Sequence, residues 1–563
     1  MDLTASLSGL VQLLQKADFQ QDTVVKHLVY VLPLVKNPQN ISLVLAAASK
    51  ARLIRSLSEA TFLINGISAA ARRKQEISNP TIPYEEFVEH IANLCTFLDP
   101  IFSLCVLTGI LLGGAPDHLK HRIEGIIVDF SQTFTFKNES DYLAIVPLAK
   151  AQFVLSEDAK ASLPSSLLLR PALRVIYNPA AIVDSTLASD SFNDFGAYSH
   201  LIGNCLKTAD LAAISHYLDV VDSFCRTAAA VYFPDAVQRY KMLIFGVSLQ
   251  IQGICVQILH NRHLPAPKLA RRILTVIQSV AFVLEELGGK FDALEFFTNL
   301  CFDVLLETGG PEPSYLLQDL GRNWWDLDVM DVRGRGRLLY MLEIAEKLLP
   351  VLKPDVINGI MLGAAEYYLT PVGDGIYTRP VLEAAHSFML AYLANSIGPL
   401  AKVLSADSAA IAIDQYLDKL LLLYPGVFTW AQFKTALNAI LTAMAPPNPC
   451  EAELRQSVLN RLFLKAKSVM PGTLMPEGDD NGPPTLRAAW VAALITAMPP
   501  LCQADEFQVW MDRVDSMIPG SYNDIVHRER RWIIGQIQDS VVDLDLHLAD
   551  VGIRYWFNRG SHL

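Results

Sequence analysis

Chemistry on a protein needs a nucleophile beside a base, a pair of acids with separated pKa values, or ligands spaced for a metal. This chain offers few such spacings. Glu383 and His386 stand three apart, so on a helix both lie on one face. That arrangement suits an acid–base pair and equally a histidine buried in a core, and a core or interface histidine is the preferred reading. His260 and His263 are also three apart but have no third ligand nearby, so they are read as a helix end rather than a metal site. Asp539, Asp543 and Asp545 form an acidic cluster without matching bases, which reads as a solvated face. Eight cysteines are scattered with no Cys-x-x-Cys pair, which points to reduced buried thiols. The chain contains no Gly-x-Ser-x-Gly, His-Glu-x-x-His or Gly-x-Gly-x-x-Gly. Gly288-Gly289-Lys290 lacks the earlier glycine of a phosphate loop. No catalytic residue, cofactor or metal site is therefore assigned.

The strongest chemical signal is the final tripeptide, Ser561-His562-Leu563. A terminal carboxylate can be held by backbone donors, a small hydroxyl fits a tight slot, and leucine fills an apolar pocket. The form resembles the Ser-Lys-Leu address read by the peroxisomal import receptor. These three residues are the candidate receptor-binding site. A chance match, or the start of an expression tag at Arg559-Gly560-Ser561-His562, are the alternative origins. An unperturbed imidazole is mostly neutral near pH 7, so His562 predicts a weaker address than lysine would give.

The 563 residues are 51% hydrophobic and only 18% charged, with a net charge of −12. Such a chain has material for a large core, and its acidity argues against nucleic-acid backbone binding. The opening Met1-Asp2-Leu3-Thr4 lacks the basic start of a secretory signal. Two uncharged stretches, 101–116 and 242–259, read as buried helices rather than membrane spans. Their contact with lipid is left open, as is peripheral membrane association.

Helical spacing recurs along the chain and no stretch alternates with period two. Val24, Val25, Leu28, Val29 and Leu32 fall on one face. Helices are predicted from Leu211 to Tyr232, Asp235 to Leu259, Pro267 to Leu287, Leu338 to Leu352, Pro380 to Ala394, Ala409 to Tyr424 and Thr429 to Met444, with Thr429 as an N-cap. Asp184 to Gly196 reads as a loop. The fold class is all-α: an irregular α-solenoid of packed helix pairs, HEAT- or armadillo-like, with no substantial sheet. Four segments follow from the Pro/Gly breaks. Residues 1–308 form an N-terminal helical-repeat region and 314–470 a second one. Residues 471–485, with four prolines, read as a flexible linker. Residues 486–563 form a C-terminal helical block ending in the tripeptide. Two runs stand apart. Asn323-Trp324-Trp325-Asp326-Leu327-Asp328 could dock a partner or pack as a connector against the core, the preferred reading. Arg333-Gly334-Arg335-Gly336-Arg337 has the form of an RNA-binding box, but a single copy in an acidic chain reads as a turn before a helix.

Three patterns carry a family resemblance over most of the chain. The first is Asn37-Pro38-Gln39-Asn40-Ile41-Ser42 leading into an apolar helix. The second is Glu383-Ala384-Ala385-His386-Ser387-Phe388-Met389-Leu390. The third is the Tyr416 to Pro447 block, with Phe428-Thr429-Trp430-Ala431-Gln432-Phe433 and Ala445-Pro446-Pro447. Together with the ending, they resemble the fungal peroxin-8 family. The resemblance implies a non-enzymatic scaffold on the luminal side of the peroxisomal membrane. Such a protein joins the receptor-docking complex to the RING-finger ubiquitin-ligase complex, binds the cargo receptor and takes part in cargo release. A second, nonapeptide-type signal is not matched, because Glu59-Ala60 stands where the pattern needs His or Gln. The other expectations are a matrix enzyme that merely carries the address, and a cytosolic helical-repeat adaptor.

Overall fold

The computed structural model describes residues 3–15, 20–77, 81–177, 194–232, 237–286, 291–370, 375–395, 406–445, 451–476, 482–520 and 523–560. Ser561-His562-Leu563 lies outside the described residues. So do most of the loop expected at Asp184 to Gly196, the Gly288-Gly289 stop and the prolines after Ala445. Among the described residues every regular element is a helix. The chain is an all-α solenoid of packed helix pairs, and it divides into two units, Met1–Val304 and Leu305–Leu563.

The first unit opens with α1 (Leu3–Leu14), α2 (Gln21–Val31), α3 (Pro38–Lys50), α4 (Leu57–Glu76), α5 (Tyr84–Cys95), α6 (Pro100–Gly114) and α7 (Asp117–Ser131). It continues with α8 (Ile145–Ala151), α9 (Glu157–Ser162), α10 (Ser165–Ile176), α11 (Phe195–Leu206), α12 (Leu211–Ala230), α13 (Val237–His260), α14 (Ala266–Gln278) and α15 (Phe282–Glu286). Helix α16 (Asp292–Thr308) runs through the unit boundary. The helices pack alternately. One row runs α2, α4, α6, α8, α11, α13, each against the next, while α1, α3, α5, α7 and α9 pack as a second row. A helix inside the first row has neighbours on both flanks as well as in the second row. Where such a helix is enclosed on every side, as α6 is, it is apolar almost all round.

This explains the two uncharged stretches. Nearly every residue of α6 from Phe102 to Leu111 is buried. Helix α13, with 24 residues, is long and apolar enough to cross a membrane, but it is packed against α11. Two of its glutamines, Gln250 and Gln257, are buried and bonded within the protein, whereas Gln238 and Gln252 are exposed. Gln250 donates to Ser199 Oγ at 2.9 Å and accepts from Tyr177 Oη at 2.6 Å, and Gln257 donates to the Ala209 carbonyl at 2.8 Å. Glycine sets the row's spacing. A Cβ on Gly253 would lie 2.1 Å from the Gly203 carbonyl oxygen, and one on Gly109 would lie 2.8 Å from that of Ile64. Neither backbone contact admits a side chain.

The second unit has α17 (Glu312–Leu320), α18 (Val332–Leu348), α19 (Pro354–Val356), a π-helical turn at Ile357–Met361, α20 (Leu362–Tyr368), α21 (Gly375–Asn395) and α22 (Ala406–Leu423). It ends with α23 (Trp430–Met444), α24 (Ala452–Ser468), α25 (Leu486–Leu501), α26 (Ala504–Ser516), α27 (Asp524–Val542) and α28 (Leu546–Gly560). The central row is α18, α21, α23, α25, α27, and α20, α22, α24 form its companion row. Local sequence fixes the starts. Asn37, Ser56, Asp99, Thr485 and Asn523 each accept a backbone N–H of the first turn. Thr429 and Gln432 close a reciprocal capping box.

Three local expectations change. The helix predicted from Pro267 to Leu287 is interrupted by turns at 279–281, where the buried Val280 and Ala281 turn inward. Helix α21 begins at Gly375, with Pro380 inside it, because a proline near a helix start forfeits a single helix bond. The Arg333 to Arg337 run is not a turn but the opening of α18, capped by Asp331, which accepts the Arg333 N–H at 3.3 Å.

The segment 471–485 is held at both described ends. Glu529, fully buried on α27, accepts the Gly472 N–H at 2.6 Å and the Thr485 hydroxyl at 2.9 Å through one oxygen. The Leu486 N–H donates to the Thr473 carbonyl at 2.8 Å.

Candidate interaction surface

Four aromatic rings gather in the second unit. Trp324 is the hub, with ring centroids 6.0 Å from Trp325, 5.8 Å from Tyr367 and 6.1 Å from Tyr368, and Tyr367 lies 4.9 Å from Tyr368. All four contacts are edge-to-face, the orientation that ring quadrupoles prefer. Trp325 is 61% exposed and Tyr367 57% exposed, whereas Trp324 and Tyr368 are half-buried. The inner rings thus anchor the outer two, which face solvent.

The sequence builds this surface from three pieces. Trp324 and Trp325 sit on a short 3-10 turn after α17. Gly321 lets that corner descend, since a Cβ there would meet Ile360 Cγ2 at 2.7 Å. Tyr367 and Tyr368 end α20, and the Tyr368 hydroxyl donates to the Trp324 carbonyl at 3.4 Å. The Arg-Gly run holds the third piece. A Cβ on Gly334 would lie 2.2 Å from the Asp328 carbonyl oxygen, and the buried Arg335 donates to the Val329 carbonyl at 3.1 Å. The loop that follows the tryptophans is therefore clamped across the start of α18. The connector reading and the docking reading divide between the two tryptophans: Trp324 packs and Trp325 projects. Sequence spacing gave no sign of Tyr367 and Tyr368, which lie more than forty positions away.

The other candidates resolve differently. His386 is buried between α21 and α22, hydrogen-bonded through Nδ1 to the Tyr416 hydroxyl, with the Phe428 ring 4.6 Å away. Burial pushes its pKa down to about 4, against a smaller upward pull from Glu383. A neutral imidazole accepting from tyrosine is a core element, and Glu383 is occupied at the surface by Arg379 at 3.0 Å. His260 ends α13 and contacts the Val256 carbonyl at 2.8 Å, so the helix-end reading holds. The thiols of Cys95 and Cys105 are buried and raised by burial, which leaves them inert. Among the described residues no group of three or more His, Cys, Asp or Glu side chains could hold a metal ion.

A groove of about 860 Å³ in the first unit lies between α10, α12 and residues 135–142. Its wall includes Phe136, in the left-handed region at φ 53°, and Arg174, whose guanidinium lies 5.0 Å from the Tyr142 ring centroid and donates to its hydroxyl at 3.0 Å.

The aromatic surface falls inside a stretch matched by a family model. That model is described as the PEX8 central TPR-like domain and covers residues 317–394. Curated relatives extend the likeness along the chain. A protein from Yarrowia lipolytica named peroxisomal membrane protein PEX17 is 23% identical over 97% of this chain and 94% of its own length. Peroxisomal biogenesis factor 8 of Komagataella phaffii is 20% identical over 96% of this chain and 91% of its own. The Pichia angusta protein of the same name is 22% identical over 61% and 54%. The chain is related to the peroxin-8 proteins. Among solved structures, importin beta aligns over 96% of this chain and 83% of its own at 10% identity with a TM-score of 0.23, too low to carry an argument.

Proposed function

We propose that the chain is a peroxisomal biogenesis factor acting in matrix-protein import. The observation that carries the reading is the near full-length similarity to proteins named as peroxisomal. In this reading the protein is a non-catalytic scaffold, peripheral on the luminal side of the peroxisomal membrane. It links the receptor-docking complex to the RING ubiquitin-ligase complex, binds the import receptor and assists cargo release. A solenoid suits that work, because stacked helix pairs offer extended surface at low structural cost. Ser561, His562 and Leu563 are the proposed receptor-binding address, and the aromatic surface around Trp324 is the proposed docking face.

The test is a pull-down from detergent-solubilised peroxisomal membranes, with the tag placed internally between Gly478 and Gly482. Recovery of both docking and RING components supports the bridging scaffold. Recovery of the import receptor alone would make the chain ordinary cargo, and an unchanged location after deletion of 561–563 would remove the address. A peptide with His562→Lys should bind the receptor more tightly than the native ending, because lysine carries a full charge at pH 7.

A further inference from the structure

We infer that the Trp325–Tyr367 surface binds a cationic peptide segment, one whose arginine or lysine side chains lie over the two exposed rings. This rests on the docking role given to that surface and not on the import reading.

Three observations converge. The first is the aromatic geometry. Trp325 and Tyr367 each pack edge-to-face on the anchored Trp324, with centroids 6.0 and 5.8 Å from it, so two exposed rings are held against one anchor. A cation within about 6 Å of a ring centroid is attracted by the ring quadrupole, most strongly for tryptophan. The second is the charge beside the rings. From 319 to 328 the chain carries three aspartates against one arginine. Arg322 faces Asp319 at 3.7 Å. Asp326 and Asp328 are exposed, and Asp328 uses one carboxylate oxygen on the Met330 N–H at 2.9 Å. Carboxylates next to aromatic faces favour guanidinium and ammonium groups and repel phosphates, so nucleic acid and anionic lipid are disfavoured as occupants. The third is rigidity. Gly321, Gly334 and Arg335 hold the loop in place, so binding costs little ordering entropy. The same unit already uses this contact internally, with Lys353 Nζ 5.9 Å from the Tyr315 ring centroid.

The probe is a fluorescein-labelled nonapeptide of alternating alanine and arginine, with glutamate replacing arginine in the control peptide. Binding to the full chain is read by anisotropy at about 50 and 300 mM salt. Saturable binding of the arginine peptide alone is expected. Trp325→Ala with Tyr367→Ala should weaken it about tenfold. Asp326→Asn with Asp328→Asn should weaken it and flatten its salt dependence. Asp543→Asn with Asp545→Asn, acids elsewhere in the same unit, should leave it unchanged. Trp325 and Tyr367 are exposed, so their loss should not unfold the unit, and circular dichroism checks this. Equal binding of the glutamate peptide, unsaturable binding, native affinity in the aromatic double variant, or an equal loss in the control pair would each overturn the inference. The pull-down with the native chain separates the two readings, since failure to recover docking and RING components there overturns the import reading, while arginine-peptide binding is judged by anisotropy alone.

Discussion

Acidification should loosen the second unit through one histidine. His386 titrates near 4 in the folded chain, because burial disfavours its charged form, whereas an unfolded histidine titrates at about 6.5. Below about pH 6.5 the unfolded chain takes up a proton that the folded chain refuses, so stability falls with pH in that window. The contribution is complete above 6.5 and is lost progressively down to about 4, below which both states are protonated. A gap of about 2.5 pKa units at 1.36 kcal/mol each gives ~3 kcal/mol in the limit. Between pH 7.5 and 5 the same relation gives about 2 kcal/mol. The perturbation is His386→Gln, which keeps an acceptor for the Tyr416 hydroxyl and removes the titration. Urea unfolding should be followed by pulse-labelling exchange on peptides from 375–395 and 406–423, so that the second unit is read separately from the first. The variant should be about 1 kcal/mol less stable than the parent at pH 7.5, from imperfect packing. It should overtake the parent at about pH 5.8 and be about 1 kcal/mol the more stable of the two at pH 5. Parallel pH profiles for parent and variant, differing by less than about 0.5 kcal/mol across the range, would refute the reasoning.

Removing the buried acceptor Glu529 strands the Gly472 N–H and the Thr485 hydroxyl, so Glu529→Ala should cost about 2–4 kcal/mol. Limited proteolysis should then cut within 471–485, and an unchanged digestion pattern would show that the carboxylate does not hold the segment. Gly253→Ala drives a Cβ into the Gly203 carbonyl and should lower the first unit's stability by about 2–3 kcal/mol. Gly125→Ala, with no atom within 4 Å of the added carbon, is its neutral control, and equal midpoints for the two would count against glycine-set spacing.

Much of the architecture is written locally. Thr429 before Trp430-Ala431-Gln432 is a cap by its chemistry, and the structure closes that box. The uncharged run at 101–116 reads as a buried helix from its apolarity and its glycines, and α6 is buried as expected. The Arg333 to Arg337 run misled, because glycine and charge are turn signals only when no tertiary contact uses them. Here the Asp328 backbone occupies the space that a Cβ on Gly334 would take, and Arg335 is spent on the Val329 carbonyl.

Sequence alone determined the helical class, the Thr429 cap and the family resemblance, since periodicity, capping and short motifs are properties of neighbouring residues. It also left Trp324 and Trp325 as an ambiguous pair. Only the tertiary structure brought Tyr367 and Tyr368 against them, made one tryptophan an anchor and the other a contact, and turned an arginine–glycine run into the clamp beneath. Those outcomes depend on which helices pack together across forty or more residues of chain, and no local pattern encodes that.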